Sequence, residues 1–547
     1  MKVLVFYQFL TLFLISLINV FKIALAAMPR FSAKVKKIHD EIWYNTDIVK
    51  AKSLMKELKD PLDIAFGKLF ISKYNVSFRH LDEFHEHLAE IENNNKRLED
   101  KFIQFMINYN YCYYYTRVHD SIDSKEQFKK YLIIMEKSYP DIDYHDDWEK
   151  YYCMQIYYSI KASYEVKFTN NLSDVIKFHK LCTEASLKIS GDGEYISDLA
   201  HNTLGIYYLD SGNFKEAEKS FQRSLNASEK YQNLWQFQSL GNLSWLNSLK
   251  GDLQLAKELN EKGLDIARHF KNAFGISARL TSKGHYLYQE GNYDEALSIY
   301  QESLLYVKEH GDSLLTFIGH FDIFNFYYTR FRVTLRIVYF EQAEEKYSDL
   351  QELSNSHSDN EYMTNYTKYA QALILKSGNL RKRIKAIDIF EELLKTYDRS
   401  IDYISQEFIS LNLLELLLQD VLLSDDQDTI DQIDKLMEKL SNIPLRNNPQ
   451  AVLYFTDQQI VLAKYNYYIK GDPSLAFQIL NNAKDKIITY NLDNFVNQLD
   501  AEIRRLELEF TKWDNIDKSV KDRIKNSNFS NYIKEALNIA DKPVGID

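Results

Sequence analysis

Residues 291–304 read GNYDEALSIYQESL, and two looser versions of that stretch precede it: SGNFKEAEKSFQRSL, ending at Leu225, and KGDLQLAKELNEKGL, ending at Leu264. Self-similarity at a fixed period constrains a fold more than local propensity does, because each unit must be a module that stacks on its neighbour. In register, Gly212, Gly251 and Gly291 form one column, Ala217, Ala256 and Ala296 a second, and Leu225, Leu264 and Leu304 a third. The alanines recur at 39 and 40 residues. Such a period holds two helices of about four turns each and two short connections. Each unit is therefore expected to be a helical hairpin.

The columns fit that expectation chemically. A glycine followed by Asn213, Asp252 or Asn292 ends the first helix, since glycine adopts the left-handed backbone of a helix C-terminus and Asn or Asp suits the turn. The alanine falls in the second helix, where a small side chain lets the two helices approach closely. Leu204-Gly205, Leu243-Ser244 and Lys283-Gly284 supply the matching small contact in the first helix. Lys283 breaks the apolar column, so its unit has to redirect a long side chain.

Composition agrees with helices. The chain has 547 residues, too many for one core, and only 16 glycines and 7 prolines, fewer than turn-rich β proteins need. With 45% hydrophobic and 14% aromatic residues it can bury a large interior. The formal charge of -11 is spread over short mixed runs, which points away from nucleic acid and toward an acidic, soluble surface. Cys112, Cys153 and Cys182 have no CxxC spacing, as expected of reduced thiols rather than of a disulfide framework or a zinc site.

At these residues the chain resembles the tetratricopeptide-repeat superfamily. Gly205, Ser244 and Gly284, the glycine-Asn/Asp turns, and the alanines at 217, 256 and 296 carry the resemblance over residues 198–310. The period resembles that of a longer-repeat subclass found in scaffold proteins and in the sensor modules of some bacterial regulators. The resemblance implies an all-α fold, a right-handed superhelical solenoid of stacked antiparallel helical hairpins with a concave inner wall. GDPSLAFQILNNA (471–483) repeats the turn and the alanine at Ala476, and SGNLRKRIKAIDIFEELL (377–394) repeats it with extra residues before Ala386. We expect degenerate helical repeats over 28–197, three clear units over 198–312, and further degenerate repeats over 313–547. The apolar stretch 314–340 contains Asp322, Arg330, Arg332 and Arg336, each costly in hydrocarbon, so it is expected to be a buried first helix running into a second.

Residues 1–27 stand apart. The segment 3–21 is apolar enough to cross a bilayer. Three readings fit it: a membrane tether with the basic residues Arg30, Lys34, Lys36 and Lys37 on the cytoplasmic side, a cleaved signal peptide processed near Ala24-Leu25-Ala26, or a true start at Met28 that leaves the chain in the cytoplasm.

No motif carries catalysis. The sequence has no phosphate-binding glycine loop, nucleophile elbow or HExxH helix, so neither an enzyme nor a cofactor is expected. His80, Asp82, Glu83, His85, Glu86, His87 and Glu90 could in principle hold a metal, with Glu83, His87 and Glu90 on one helical face, but such runs are ordinarily solvated charged faces. Asp141, Asp143, Asp146 and Asp147 lack the central glycine of a calcium loop. Six Asn-x-Ser/Thr sequons matter only in a secreted chain.

Function must then come from shape. The family's groove positions fall on Thr203, Ile206, Leu209, Asn242, Trp245, His285 and Tyr288. Aromatic side chains there offer contact area at small entropic cost, and Asn242 can hold a peptide backbone. Repeat proteins that clamp a chaperone's carboxyl terminus resemble one another in five groove cations and asparagines. Here those places hold Asn202, Ile206, Asn242, Ala278 and Ser282, of which only Asn242 fits. The expected function is a non-enzymatic scaffold binding a protein or peptide segment in its groove. A peptide-sensing regulatory module is the alternative.

Overall fold

The computed structural model describes most residues between Ser32 and Glu507. Residues 1–31, 39–47, 78–80, 118–123, 191–197, 231–233, 397–405, 442–451, 489–495 and 508–547, with a few shorter gaps, lie outside the described set. The tether or signal reading of 1–27 therefore falls on residues outside it. Among the described residues no helix is long and apolar enough to cross a membrane, and none forms a strand.

In chain order the helices are α1 Ile48–Met55, α2 Pro61–Ser77, α3 Leu81–Leu98, α4 Lys101–Arg117, α5 Ser124–Ser138, α6 Asp147–Tyr164 and α7 Leu172–Ser190. They continue as α8 Asp198–Asp210, α9 Phe214–Lys230, α10 Gln236–Leu249, α11 Leu253–His269, α12 Ala273–Gln289, α13 Tyr293–Glu309 and α14 Ser313–Thr334. The last are α15 Ile337–Ser356, α16 Glu361–Lys376, α17 Leu380–Thr396, α18 Gln406–Ser424, α19 Gln427–Ser441, α20 Val452–Tyr465 and α21 Pro473–Ile488. Two compact bodies result. One draws on residues up to His119, on Asp123–Tyr207 and on Glu216–Ser239, and the other on Tyr208–Lys215 and the residues from Leu240 onward.

In the first body, α2 with α3, α4 with α5 and α6 with α7 pack as hairpins around an aromatic core in which Phe66, Phe84, Phe102, Phe105, Tyr113 and Phe128 are fully buried. Each such ring removed from water contributes on the order of 2–3 kcal/mol. Cys112, Cys153 and Cys182 are buried free thiols.

In the second body the hairpins are α12–α13, α14–α15, α16–α17, α18–α19 and α20–α21. Their first helices also touch in series, α12 to α14 to α16 to α18 to α20. Gly251 and Gly291 turn with φ of 85° and 84°, in the left-handed region that the sequence pattern required of them. Asp252 then caps α11 by accepting the Leu255 amide at 3.0 Å. Ala256 and Ala296 are completely buried. The small residue of the first helix proves equally constrained: a Cβ on Gly284 would lie 2.6 Å from the Tyr300 ring. Where serine replaces glycine, the Ser244 hydroxyl lies 2.7 Å from the Ala256 carbonyl, to which it donates, and 2.7 Å from the Tyr286 hydroxyl. Lys283 is redirected to Glu261 at 2.8 Å. The stretch 314–340 divides into α14 and the start of α15, as its charges implied.

Candidate functional site

Helical spacing decides which side chains of the first helices stay open. On α14 the residues left uncovered include Ile318, Asp322, Asn325, Thr329 and Arg332, steps of three and four that trace one face. On α12 they include Ala278, Thr281, Ser282, His285 and Tyr288. Of the sequence-expected groove residues, Thr203 and Leu209 are buried at 7% exposure each, Ile206, Asn242 and Tyr288 are half-buried, and Trp245 and His285 are exposed. Thr203 and Ile206 belong to the first body, and the other five to the second.

The open faces of α12 and α14 meet at a carboxylate. Thr281 donates its hydroxyl to Asp322 Oδ2 at 3.0 Å. Burial pushes the Asp322 carboxyl up to about 7, and the bond from Thr281 opposes that shift only in part. Around it stands an aromatic wall. The His285 ring meets Tyr300 edge-on at 5.5 Å, and Tyr288 meets Phe326 at 5.8 Å and Tyr293 at 5.2 Å. Although the His285 side chain reaches the surface, protein packed about the ring, Tyr300 included, partly denies it hydration and lowers its pKa below the ordinary imidazole value. The Tyr300 hydroxyl is raised well above its usual range, chiefly by burial and next by the Asp322 charge.

Farther along the same series of helices lies a second polar cluster. Arg332 Nη2 bonds both oxygens of Glu415 at 2.9 and 3.1 Å, and Lys376 pairs with the same carboxylate and with Asn412 Oδ1 at 2.7 Å. Asn412 donates in turn to the Tyr369 hydroxyl at 3.2 Å. Arg332, Lys376 and Lys464 outweigh the desolvation of Glu415 and hold its carboxyl far below the usual range. Burial first, opposed by the Glu415 charge but aided by the neighbouring cations Arg332 and Lys464, brings Lys376 down to about 8. Lys376 and Lys464 are 7% and 5% exposed, so this cluster ties α14, α16 and α18 together rather than facing a ligand.

The acidic and histidine run of α3 is used for packing. Glu83 pairs with Lys52 of α1 at 2.5 Å and Glu90 with Lys68 of α2. Among the described residues no group of His, Cys, Asp and Glu is arranged to hold a metal ion. Sequence reasoning missed Asp322 as a site residue, and Lys376 and Glu415 as a helix-tying pair. The available signal was a charge inside an otherwise apolar helix, noted at Asp322 only as an argument against a membrane span.

Residues 195–269 match the family model described as tetratricopeptide repeat. Over that stretch the chain carries tetratricopeptide repeats. No curated protein shows a significant match. Among solved structures the repeats are similar to a Rap protein complexed with competence and sporulation factor, at 16% identity over 69% of this chain and 98% of that one, with a TM-score of 0.44. They are also similar to the apo form of the quorum sensor NprR from B. thuringiensis, at 14% identity over 69% and 100%, with a TM-score of 0.40. A third similar structure is a signal transduction ATPase with numerous domains and a tetratricopeptide-repeat sensor, from Pyrococcus horikoshii, at 12% identity over 82% and 66%, with a TM-score of 0.35.

Proposed function

We propose that the chain is a non-enzymatic repeat scaffold that binds a protein or peptide segment along the open faces of α10, α12 and α14. The observation that carries the reading is Trp245, 38% exposed on an otherwise well-covered helix, in one repeat series with the exposed His285 and the half-buried Asn242 and Tyr288. Aromatic residues of this kind concentrate binding energy in recognition surfaces. Asn242 adds both a donor and an acceptor for an extended backbone.

Phage-displayed heptapeptides selected on the full chain test the reading. Trp245→Ala and His285→Ala should each weaken the selected peptides by about tenfold, the usual scale of a moderate hot spot. Circular dichroism and Tm should stay near the wild type, because both side chains are exposed. Unchanged affinity in both folded variants would reject this surface.

A further inference from the structure

We propose that the junction of α12 and α14 takes the arginine side chain of a bound peptide, its guanidinium held by Asp322 and flanked by His285 and Tyr288, an inference that rests on the groove reading above. Asp322 accepts one hydrogen bond, from Thr281 to Oδ2, and no lysine, arginine or histidine pairs with it among the described residues. Its Oδ1 therefore remains for a donor that the fold does not supply. The contrast with Glu415, bound by both Arg332 and Lys376, shows that these helices can satisfy a buried carboxylate with cations where the fold needs it.

A half-buried carboxylate without a counter-charge costs folding free energy, and an incoming cation recovers much of that cost. The groups that interact with Asp322 are otherwise neutral: the Tyr300 hydroxyl of α13, raised well above its usual range, and the Thr281 hydroxyl of α12. His285, one turn on from Thr281 along α12, has its pKa lowered. Flanking aromatics select the kind of cation. A guanidinium is planar, weakly hydrated and forked, so it can stack on Tyr288 or His285 while donating to both oxygens of Asp322. An ammonium is a compact, strongly hydrated point charge that gains less from such a wall.

The test uses the full chain and fluorescein-labelled heptapeptide pools, N-acetylated and C-amidated, with one position fixed as arginine, lysine, citrulline or glutamate. Fluorescence anisotropy should show the best arginine pool binding about tenfold more tightly than its citrulline counterpart, with lysine between them. Asp322→Asn should equalise arginine and citrulline while leaving the citrulline affinity in place, and circular dichroism confirms its fold. The wild-type preference for arginine should shrink about tenfold between pH 8 and pH 6 as the carboxyl takes up its proton. Equal binding of arginine and citrulline, or a preference that survives in the asparagine variant, overturns the assignment. Trp245→Ala separates the two ideas. If it leaves every pool unchanged, the groove reading falls and takes this inference with it; if it weakens all pools while the asparagine variant keeps its preference, only the arginine site falls. Failure of every pool to bind the wild type overturns both.

Discussion

From Leu253 to Gly311 the helices meet at turns with left-handed residues, whereas among the described residues from Ser313 to Ser441 they do not. Gly291 and Gly311 have φ of 84° and 70°, and Lys271 takes φ 50° where no glycine is present. Beyond Thr334 the chain enters α15 through Arg336 at φ -79°, and among the described residues no positive φ is found again before Gly471. The alanine contact survives this change. Ala256 and Ala296 are the fourth residues of α11 and α13, while Ala343 and Ala386 are the seventh of α15 and α17, and all four are fully buried. α15 and α17 thus begin about one turn earlier relative to their alanine, which returns it to the same face. Packing between paired helices is thus the stricter requirement, and turn chemistry the looser one.

The two regions also differ on their first helices. α12 leaves His285 and Tyr288 open, but α18 buries every described residue from Ile409 to Leu418 except Glu415, which is half-buried. A helix covered on all sides has no room for an unpaired charge, so Glu415 must be answered by Arg332, Lys376 and Lys464. Glu415→Ala should accordingly be the most damaging change, costing about 3–5 kcal/mol because buried lysines lose their carboxylate. Urea unfolding measures it, and a loss under 1 kcal/mol would show that the cluster is solvated. Glu415 has a folded pKa depressed below its unfolded value. Its stabilising contribution is therefore present above the unfolded carboxylate pKa, near 4.5, and drains away as pH falls below it toward the depressed folded value. Wild type and variant should converge in stability at low pH.

Ala386→Leu and Ala256→Leu come next, each expected to cost about 3 kcal/mol by overpacking a site with no accessible surface. Equal losses would support one shared contact in both regions. A much smaller loss at Ala386 would mean that the extra turn of α17 lets the helix slide and absorb the larger side chain.

How far these contacts were legible in the sequence follows from how many residues encode them. The hairpins of 198–310 were plain because glycine, Asn or Asp, and alanine coincide at one spacing, and each answers a separate backbone or steric demand. Ala343 was missed because it has no glycine turn ahead of it to set the register, although its packing is the same. Ala386 was found through Gly378, with the additional residues correctly read as an insertion. Lys376 and Glu415, 39 residues apart and near one repeat period, were illegible: Lys376 reads as a last-turn cation and Glu415 as a lone charge among leucines. Only stacking brings them together. Trp245 and His285, which the repeat register offers as groove residues, are exposed. Thr203 and Leu209 carry the same register, yet lie buried.

Asp322 offers a gain in place of a loss. Its folded pKa is raised from 3.8 to about 7, so the carboxyl stabilises the fold fully below the unfolded pKa, and that contribution is lost as pH rises through the folded one. Asp322→Asn, which keeps the size of the side chain and a partner for Thr281, should stabilise the chain by about 2 kcal/mol at pH 8 after allowance for the open side of the site. The gain should fade toward pH 4. A variant equally stabilised at both pH values would show that charge has no part in it.

The smallest effect isolates the backbone at the boundary between the two regions. Gly311 joins α13 to α14 at φ 70°, and a Cβ built there meets nothing within 4 Å, so substitutions change conformational preference without steric overlap. Gly311→Ala should cost about 1 kcal/mol, the usual penalty for an L-residue in the left-handed region, and Gly311→Asn about half of that because asparagine tolerates it. Asp312 accepts the Leu315 amide at 2.8 Å just beyond the turn, which pins the start of α14 and keeps the chain from escaping to another backbone conformation. Both losses should appear as a shift in the urea midpoint at constant slope. If alanine and asparagine were both neutral, the left-handed turn would not be a constraint at this junction, and the two regions would differ in helix length and burial alone.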